Sequence, residues 1–454
     1  MFRRLSLPFL AFAFACLPTI GFGQTTEKGD EQARLISVLE SEATTFDKAK
    51  ACQRLAVVGD KAAVPTLATL LPDEKLSGYA RTALQRIPDP SAGAALRLAL
   101  LNVEGDQLVG VIHSLGQRRD QEAVPKLIEL LDGEDTAVFA AAARALGAIG
   151  NQQAASSLRA KFVTGDKEQK AVLGDALLRC GQRIPQRAVE FYDLVRQADV
   201  PDHLRLAATY DAIVVRGENG KDLLGESLDA ADDATFRMAL QAARALGAEA
   251  TPTLIDRFEQ QKPDRRALML IEFGESGDER CLAAVRQAAG SDNEEVRVQA
   301  LRALPAFGGE EAATILIDAA VHGEGRVAEA ARSALVDVEG ETIDFQIIRL
   351  LGDDDPQIVT AAVDLAARRH VAAATPRLLK LATESDDPLR LTALRAAGES
   401  VSMDDFGELL DRTLAATKPG EVEAANAALE SACRRLPQDA AARAIEQAMA
   451  NAST

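Results

Sequence analysis

Outside the first twenty-three residues, the side chains best suited to metal binding or nucleophilic attack are four histidines, His113, His203, His322 and His370, and four cysteines, Cys52, Cys180, Cys281 and Cys433. Their spacing builds no site. No histidine is followed by glutamate. There is no H-E-x-x-H to set two imidazoles on one helix face, no C-x-x-C and no EF-hand loop. Cys180 and His203 would make an activated thiolate only if the fold joined them; a buried thiol and a surface imidazole is the expected outcome. Asp353-Asp354-Asp355 stands just before Pro356, where acidic residues suit the start of a helix better than a cation. The nucleophile elbow G-x-S-x-G and the phosphate loop G-x-x-x-x-G-K-[ST] are absent as well. The sequence therefore nominates no catalytic, cofactor-binding or metal-binding residue, and no cofactor is expected.

The elements that would position any site are repeats. AARALGA occurs at 142–148 and again at 242–248. Around the first copy, Asp132 to Phe162 reads as a turn, a small-residue helix, a break at Gly150-Asn151 and a second helix. Ala142, Ala145, Leu146 and Ile149 recur at three- and four-residue spacing, one face of a 3.6-residue period. Comparable units run from Phe46 to about Met449 with a step of about 31 residues, a period that signals a solenoid. EVRVQALRA (Glu295–Ala303) aligns without gaps on PLRLTALRA (Pro388–Ala396). Second helices often open with Pro and then Leu two places on: Pro65/Leu67, Pro125/Leu127, Pro252/Leu254 and Pro376/Leu378. Pro is tolerated in a first helical turn, where its missing N–H was unpaired anyway. Gly59, Gly150 and Gly308 fall between helices and are expected as left-handed caps.

The strings x-V-R-x-x-A-x-x-A-L (Glu295–Leu304) and A-V-P-x-L (within Ala123–Leu131) resemble HEAT-like repeats of the bilin-lyase (PBS lyase) type, an armadillo-like helical fold found in secreted bacterial proteins. The resemblance covers nearly all of the chain after residue 23. It implies an all-α, right-handed α-solenoid of about 12–13 helical hairpins, in which each pair buries its apolar face only by stacking on its neighbours. It also implies a binding scaffold, the usual role of such arrays. HEAT-type deoxyhypusine hydroxylases hold iron through His-Glu pairs, which this sequence lacks, and pigment chemistry does not follow from the repeat pattern. Absence of Trp rules out the tetratricopeptide pattern, and the ankyrin T-P-L-H string is missing.

If the units stack as HEAT arrays do, second helices line a concave face. Residues one and four places after the proline then form a mixed-sign ladder: Thr66/Thr69, Lys126/Glu129, Thr253/Asp256 and Arg377/Lys380. This is the candidate protein-binding face; the alternative is ordinary solvated helix surface. The ladder lacks aromatic anchors, so affinity would come from length. A secondary candidate is the aromatic group Phe191, Tyr192 and Tyr210, read either as a core patch filling a bend or as a binding bulge.

Taken in order, residues 1–23 read as a secretory signal, with Arg3 and Arg4 before an apolar run from Leu5 to Ile20 and a small-x-small site at Gly21-Phe22-Gly23. The alternative is a retained anchor. Residues 24–45 read as a polar linker (24–30) and an N-capping helix (Glu31–Glu42). Regular repeats follow at 46–162, irregular repeats at 163–228, regular repeats at 229–414, and a capping repeat with a polar tail at 415–454. The four cysteines fall in units that are not neighbours, so free thiols are expected.

Formal charge is −18. That argues against nucleic acid, whose phosphates require basic contacts, and it permits a basic partner. The expected function is an exported, non-catalytic scaffold for protein–protein interaction in the periplasm or cell envelope, with no membrane span after signal cleavage. The alternative is an accessory subunit of an exported hydrolase or oxidoreductase whose catalytic domain lies on another chain.

Overall fold

The computed structural model describes residues 22–338 and 340–452, so the signal expected at 1–23 lies almost wholly outside the described residues. Among the described residues there are helices and turns and no strand. The chain is an all-α solenoid, and it divides into two compact units, Met1–Arg216 and Gly217–Thr454.

The first unit opens with α1 (Phe22–Glu40). Five helix pairs follow: α2 (Thr45–Val58) with α3 (Val64–Thr69), α4 (Ser77–Arg86) with α5 (Pro90–Ala99), α6 (Gly105–Arg118) with α7 (Val124–Glu129), α8 (Thr136–Ile149) with α9 (Gln152–Thr164), and α10 (Lys167–Arg183) with α11 (Ala188–Arg196). The unit closes on α12 (Asp202–Arg216). First helices pack side by side in one layer, α2 on α4, α4 on α6, α6 on α8 and α8 on α10, while α3 packs on α5 and α7 on α9 in the other.

The second unit opens with α13 (Lys221–Leu228). Seven pairs follow: α14 (Asp233–Leu246) with α15 (Thr251–Phe258), α16 (Pro263–Ser276) with α17 (Leu282–Ala289), α18 (Glu294–Ala303) with α19 (Gly309–His322), α20 (Gly325–Asp337) with α21 (Glu341–Leu350), α22 (Pro356–Arg368) with α23 (Thr375–Glu384), α24 (Leu389–Ser400) with α25 (Phe406–Leu414), and α26 (Pro419–Arg435) with α27 (Gln438–Ala452). First helices again form one layer, running from α14 on α16 through to α24 on α26. Residues 297 and 390, superposed in the sequence, both fall in the first turns of first helices, α18 and α24, where Ala300/Ala393 and Leu301/Leu394 are buried.

Local chemistry sets the helix ends. The Asp135 carboxylate accepts from the backbone N–H groups of Ala137 and Val138 and starts α8; Gly150 ends it in the left-handed conformation; Asn151 accepts from Ala154 and starts α9. Each side chain satisfies an N–H that the helix itself leaves unpaired. The prolines Pro65, Pro125, Pro252 and Pro376 sit in first turns as expected.

Two devices hold the layers together. The first is close approach of backbones. A methyl group at Gly116 would lie 2.8 Å from the Ala145 Cα, one at Gly274 would lie 3.1 Å from the Ala303 Cα, and one at Gly398 would lie 2.3 Å from the Ala428 carbonyl oxygen. The second is an arginine reaching back one repeat to the end of the previous first helix. Arg118 donates to the carbonyls of Leu84 (2.7 Å), Gln85 (3.1 Å), Ile87 (2.5 Å) and Asp89 (3.2 Å). Arg369 donates to those of Leu335 and Val338, and Arg435 to those of Gly398 and Val401. The last carbonyls of a helix have no partner within it, and a charged donor satisfies them with stronger bonds than a neutral one.

Three expectations are corrected. Residues 24–30, expected as a linker, lie within α1, although Thr25, Thr26, Gly29 and Asp30 are weak helix formers; no proline interrupts the stretch. Gln32 ties this helix to the first pair, donating to the Asp60 carboxylate and accepting from its backbone N–H, each at 2.7 Å. Gly59 is not left-handed (φ −71°); it is required because a Cβ would stand 2.4 Å from the Leu55 carbonyl oxygen. Gly308 has positive φ (60°) but an extended ψ of −160°, outside the left-handed helical region.

Candidate protein-binding surfaces

The ladder residues lie on the second-helix layer, and most of their polar groups are already engaged. The Thr66 hydroxyl donates to the Glu40 carboxylate at 2.9 Å, and Thr69 donates to the Thr66 carbonyl at 2.8 Å. Lys126 and Glu129 pair with each other at 2.7 Å, and Lys380 stands 3.7 Å from Glu384. Arg377 is exposed and lies over Gly352, where a Cβ would come within 2.5 Å of its Nη2. Thr253 is half-buried and Asp256 exposed on α15. This face is polar and largely self-satisfied, suited to many weak contacts rather than one anchor.

The aromatic group is split by the fold. Phe191 and Tyr192 are buried in α11. The Tyr192 ring rests on Gly181 of α10, where a Cβ would come within 2.4 Å of it, and burial pushes its hydroxyl up to about 12. Tyr210, on α12, is half-buried.

The four histidines are all exposed, whereas Cys52, Cys180 and Cys281 are buried. Cys180 lies inside α10 and His203 on the exposed first turn of α12, an arrangement that gives the thiol no base. All four described cysteines are free thiols. Burial drives the thiols of Cys52 and Cys281 up to about 11 and that of Cys180 to about 12, away from the thiolate that nucleophilic chemistry requires. Asp355 accepts from the Gln357 N–H at 2.8 Å and Asp353 from the Asp355 N–H at 2.9 Å, so this acidic run caps α22. Among the described residues, no three His, Cys, Asp or Glu side chains converge to hold a metal ion.

The second unit has a cavity of about 300 Å³ between α14 and α16, but its charges are matched. Arg244 pairs with Glu272 (2.6 Å) and Glu275 (2.8 Å). Arg280 holds the Asp278 carboxyl well below the usual range, and Thr251 donates to the same carboxylate at 2.9 Å. Such a set is structural, with no unpaired acid or base to move a proton.

Sequence reasoning passed over the outer stripe of the first helices. On α8 only Thr136, Ala137 and Arg144 are exposed, with Ala140 and Ala148 half-buried, so Arg144 is the one charge that AARALGA presents. An arginine inside a string of small residues was the available signal.

The pattern of HEAT repeats matches residues 106–177 and 251–336. Those two segments carry HEAT repeats. HEAT solenoids typically act as interaction scaffolds rather than catalysts. Among solved structures the chain is similar to the crystal structure of Kap121p (13% identity, 90% of this chain and 54% of that one, TM-score 0.52). It is similar also to Kap121p bound to Pho4p (13%, 89% and 54%, TM-score 0.52) and to Kap121p bound to RanGTP (14%, 90% and 54%, TM-score 0.52). The chain thus spans about half the length of these proteins, and the likeness is one of fold. No curated protein matches it. No helix among the described residues is long and apolar enough to cross a membrane.

Proposed function

We propose that the chain is an exported, non-catalytic scaffold that binds another protein through the faces of its stacked HEAT repeats in the periplasm or cell envelope. The observation that carries this reading is the architecture: helix pairs follow one another from α2 to α27, and their buried residues are spent on stacking, which leaves long helix faces as the available surface. Buried thiols with raised pKa values and matched charges in the α14–α16 cavity support a non-catalytic role. Solved structures of the same fold are described with protein partners seated on them, which suits a scaffold. Export rests on the charged start and apolar run of residues 1–23, and the bilin-lyase subtype on the repeat strings quoted above.

The test has two parts. A reporter enzyme active only outside the cytoplasm, fused to the C-terminus, is expected to be active, and to fall silent when Arg3, Arg4 and the Leu5–Ile20 run are deleted. The tagged full chain, captured from its native cells, is expected to bring down one protein in fixed proportion. A silent reporter on the intact chain overturns export; a chain that recovers no protein overturns the scaffold.

A further inference from the structure

The outer stripe of the first helices in the unit Met1–Arg216 contains a groove unlike the rest of this acidic chain. It is a cavity of about 500 Å³ that crosses α4, α6, α8 and α10, with Arg81, His113, Arg144 and Arg179 along it and Asp106 at its side. Its floor is made of small residues. A Cβ at Gly110 would stand 2.2 Å from the Arg81 Cζ, so the guanidinium lies directly on the α6 backbone.

The charges in this groove are not matched as they are in the second unit. Among the described residues Arg81 and Arg144 have no hydrogen-bond or ion-pair partner, and Arg179 pairs only with Asp175 of its own helix, at 3.1 Å. The Arg81 Nε is buried with no acceptor, and its burial lowers its affinity for a proton. A desolvated guanidinium without an acceptor is costly, and a carboxylate arriving in its plane would supply two parallel hydrogen bonds.

We propose that this groove binds an extended acidic segment of the partner protein, with Arg81 and Arg144 each taking a carboxylate and Arg179 a third. The proposal rests on the scaffold reading and names the partner's chemistry. Span favours a peptide over a free anion. Stacked helices lie roughly 8–10 Å apart, so α4 to α10 is roughly 24–30 Å, which a single small anion cannot bridge. An extended chain covers that distance in about eight residues. The overall charge of −18 makes the groove a local exception, and it admits an acidic strand rather than an acidic surface.

The experiment is fluorescence anisotropy of the full chain with a labelled nonapeptide of alternating Glu and Asp, beside its Gln/Asn counterpart. The acidic peptide is expected to bind about tenfold or more tightly than the neutral one, and to weaken as salt rises from about 50 to about 300 mM. Arg144→Gln and Arg179→Gln, both at exposed positions, are each expected to weaken binding by about three- to tenfold with an unchanged melting temperature. Arg81→Gln is expected to weaken it further. Equal binding by the wild type and the Arg144→Gln/Arg179→Gln double variant overturns the proposal. So does equal binding of both peptides, or displacement by equimolar inorganic phosphate, which would mark a small-anion pocket. If the groove is wrong but the scaffold right, the double variant still captures its cellular partner; if the scaffold is wrong, neither chain captures one.

Discussion

Gly147 of α8 lies against Ala176 of α10 so closely that a methyl group in its place would stand 2.8 Å from both the Cα and the carbonyl oxygen of Ala176. The contact is to backbone, which has no rotamer by which to move aside. Two opposing effects act on Gly147→Ala: helix propensity favours alanine by about 1 kcal/mol, while overpacking a filled interface costs about 1–3 kcal/mol. The clash wins here, and Gly147→Ala is expected to lower the unfolding midpoint in denaturant, with Gly147→Val lowering it more. Gly407 lies in α25, and a methyl group in its place would have no atom within 4 Å, so Gly407→Ala is expected to leave the midpoint unchanged or to stabilise the fold by up to about 1 kcal/mol. The same chemical change with opposite outcomes separates packing from propensity.

Arg118 satisfies four carbonyls of the preceding repeat with one half-buried guanidinium. Arg118→Met keeps the apolar stem and removes every donor. It is expected to cost about 2–3 kcal/mol, the range for charged hydrogen bonds lost from part-buried acceptors. Arg118→Lys restores one direction of donation and is expected to recover part of the loss. Arg434, whose pairing with Glu430 is exposed, is the control, and Arg434→Met is expected to change the urea midpoint little.

The buried thiols give the chain a pH dependence with a definite sign. In the unfolded chain a thiol titrates near 9, whereas burial lifts Cys52 and Cys281 to about 11 and Cys180 to about 12. The folded state therefore holds protons that the unfolded state releases. The stabilisation is complete below pH 9 and is lost as pH rises through 11 and 12. The urea midpoint is expected to fall across that window, and to fall less in Cys180→Ala measured against its own value at pH 8. Alkylation by iodoacetamide at pH 8 is expected first at Cys433, the one described cysteine that is not buried.

Repetition was legible in the sequence because each unit must bury the same face, and the prolines marked second-helix starts because a first turn has no use for the missing N–H. What the sequence concealed is shown by AARALGA itself. In the first copy Gly147 is interior to α8 and packed on Ala176. In the second, α14 ends at Leu246 and Gly247 turns the chain with φ 59° and nothing within 4 Å. The residues that follow decide: Ala-Ile-Gly-Asn continues the first helix and caps it at Gly150, whereas Ala-Glu-Ala-Thr-Pro brings the next helix forward. The ladder residues lie on second helices, but Thr66 is engaged by Glu40 of α1, an internal partner that a repeat pattern does not weigh. Arg81 and Arg144 escaped notice because their significance is an absence of partners, visible only once neighbouring helices are stacked.

The central claim, that the stacked helix faces hold a protein partner, is tested most directly by amine crosslinking in intact native cells followed by mass spectrometry of the captured full chain. The account predicts one partner whose crosslinks fall on a single run of repeats, at Lys126 or Lys380 for the second-helix face or at Lys167 and Lys170 on α10, the helix that carries Arg179. It also predicts that charge reversal on that face abolishes them. Crosslinks scattered without preference over both layers, or a partner retained by every reversed face, would contradict it.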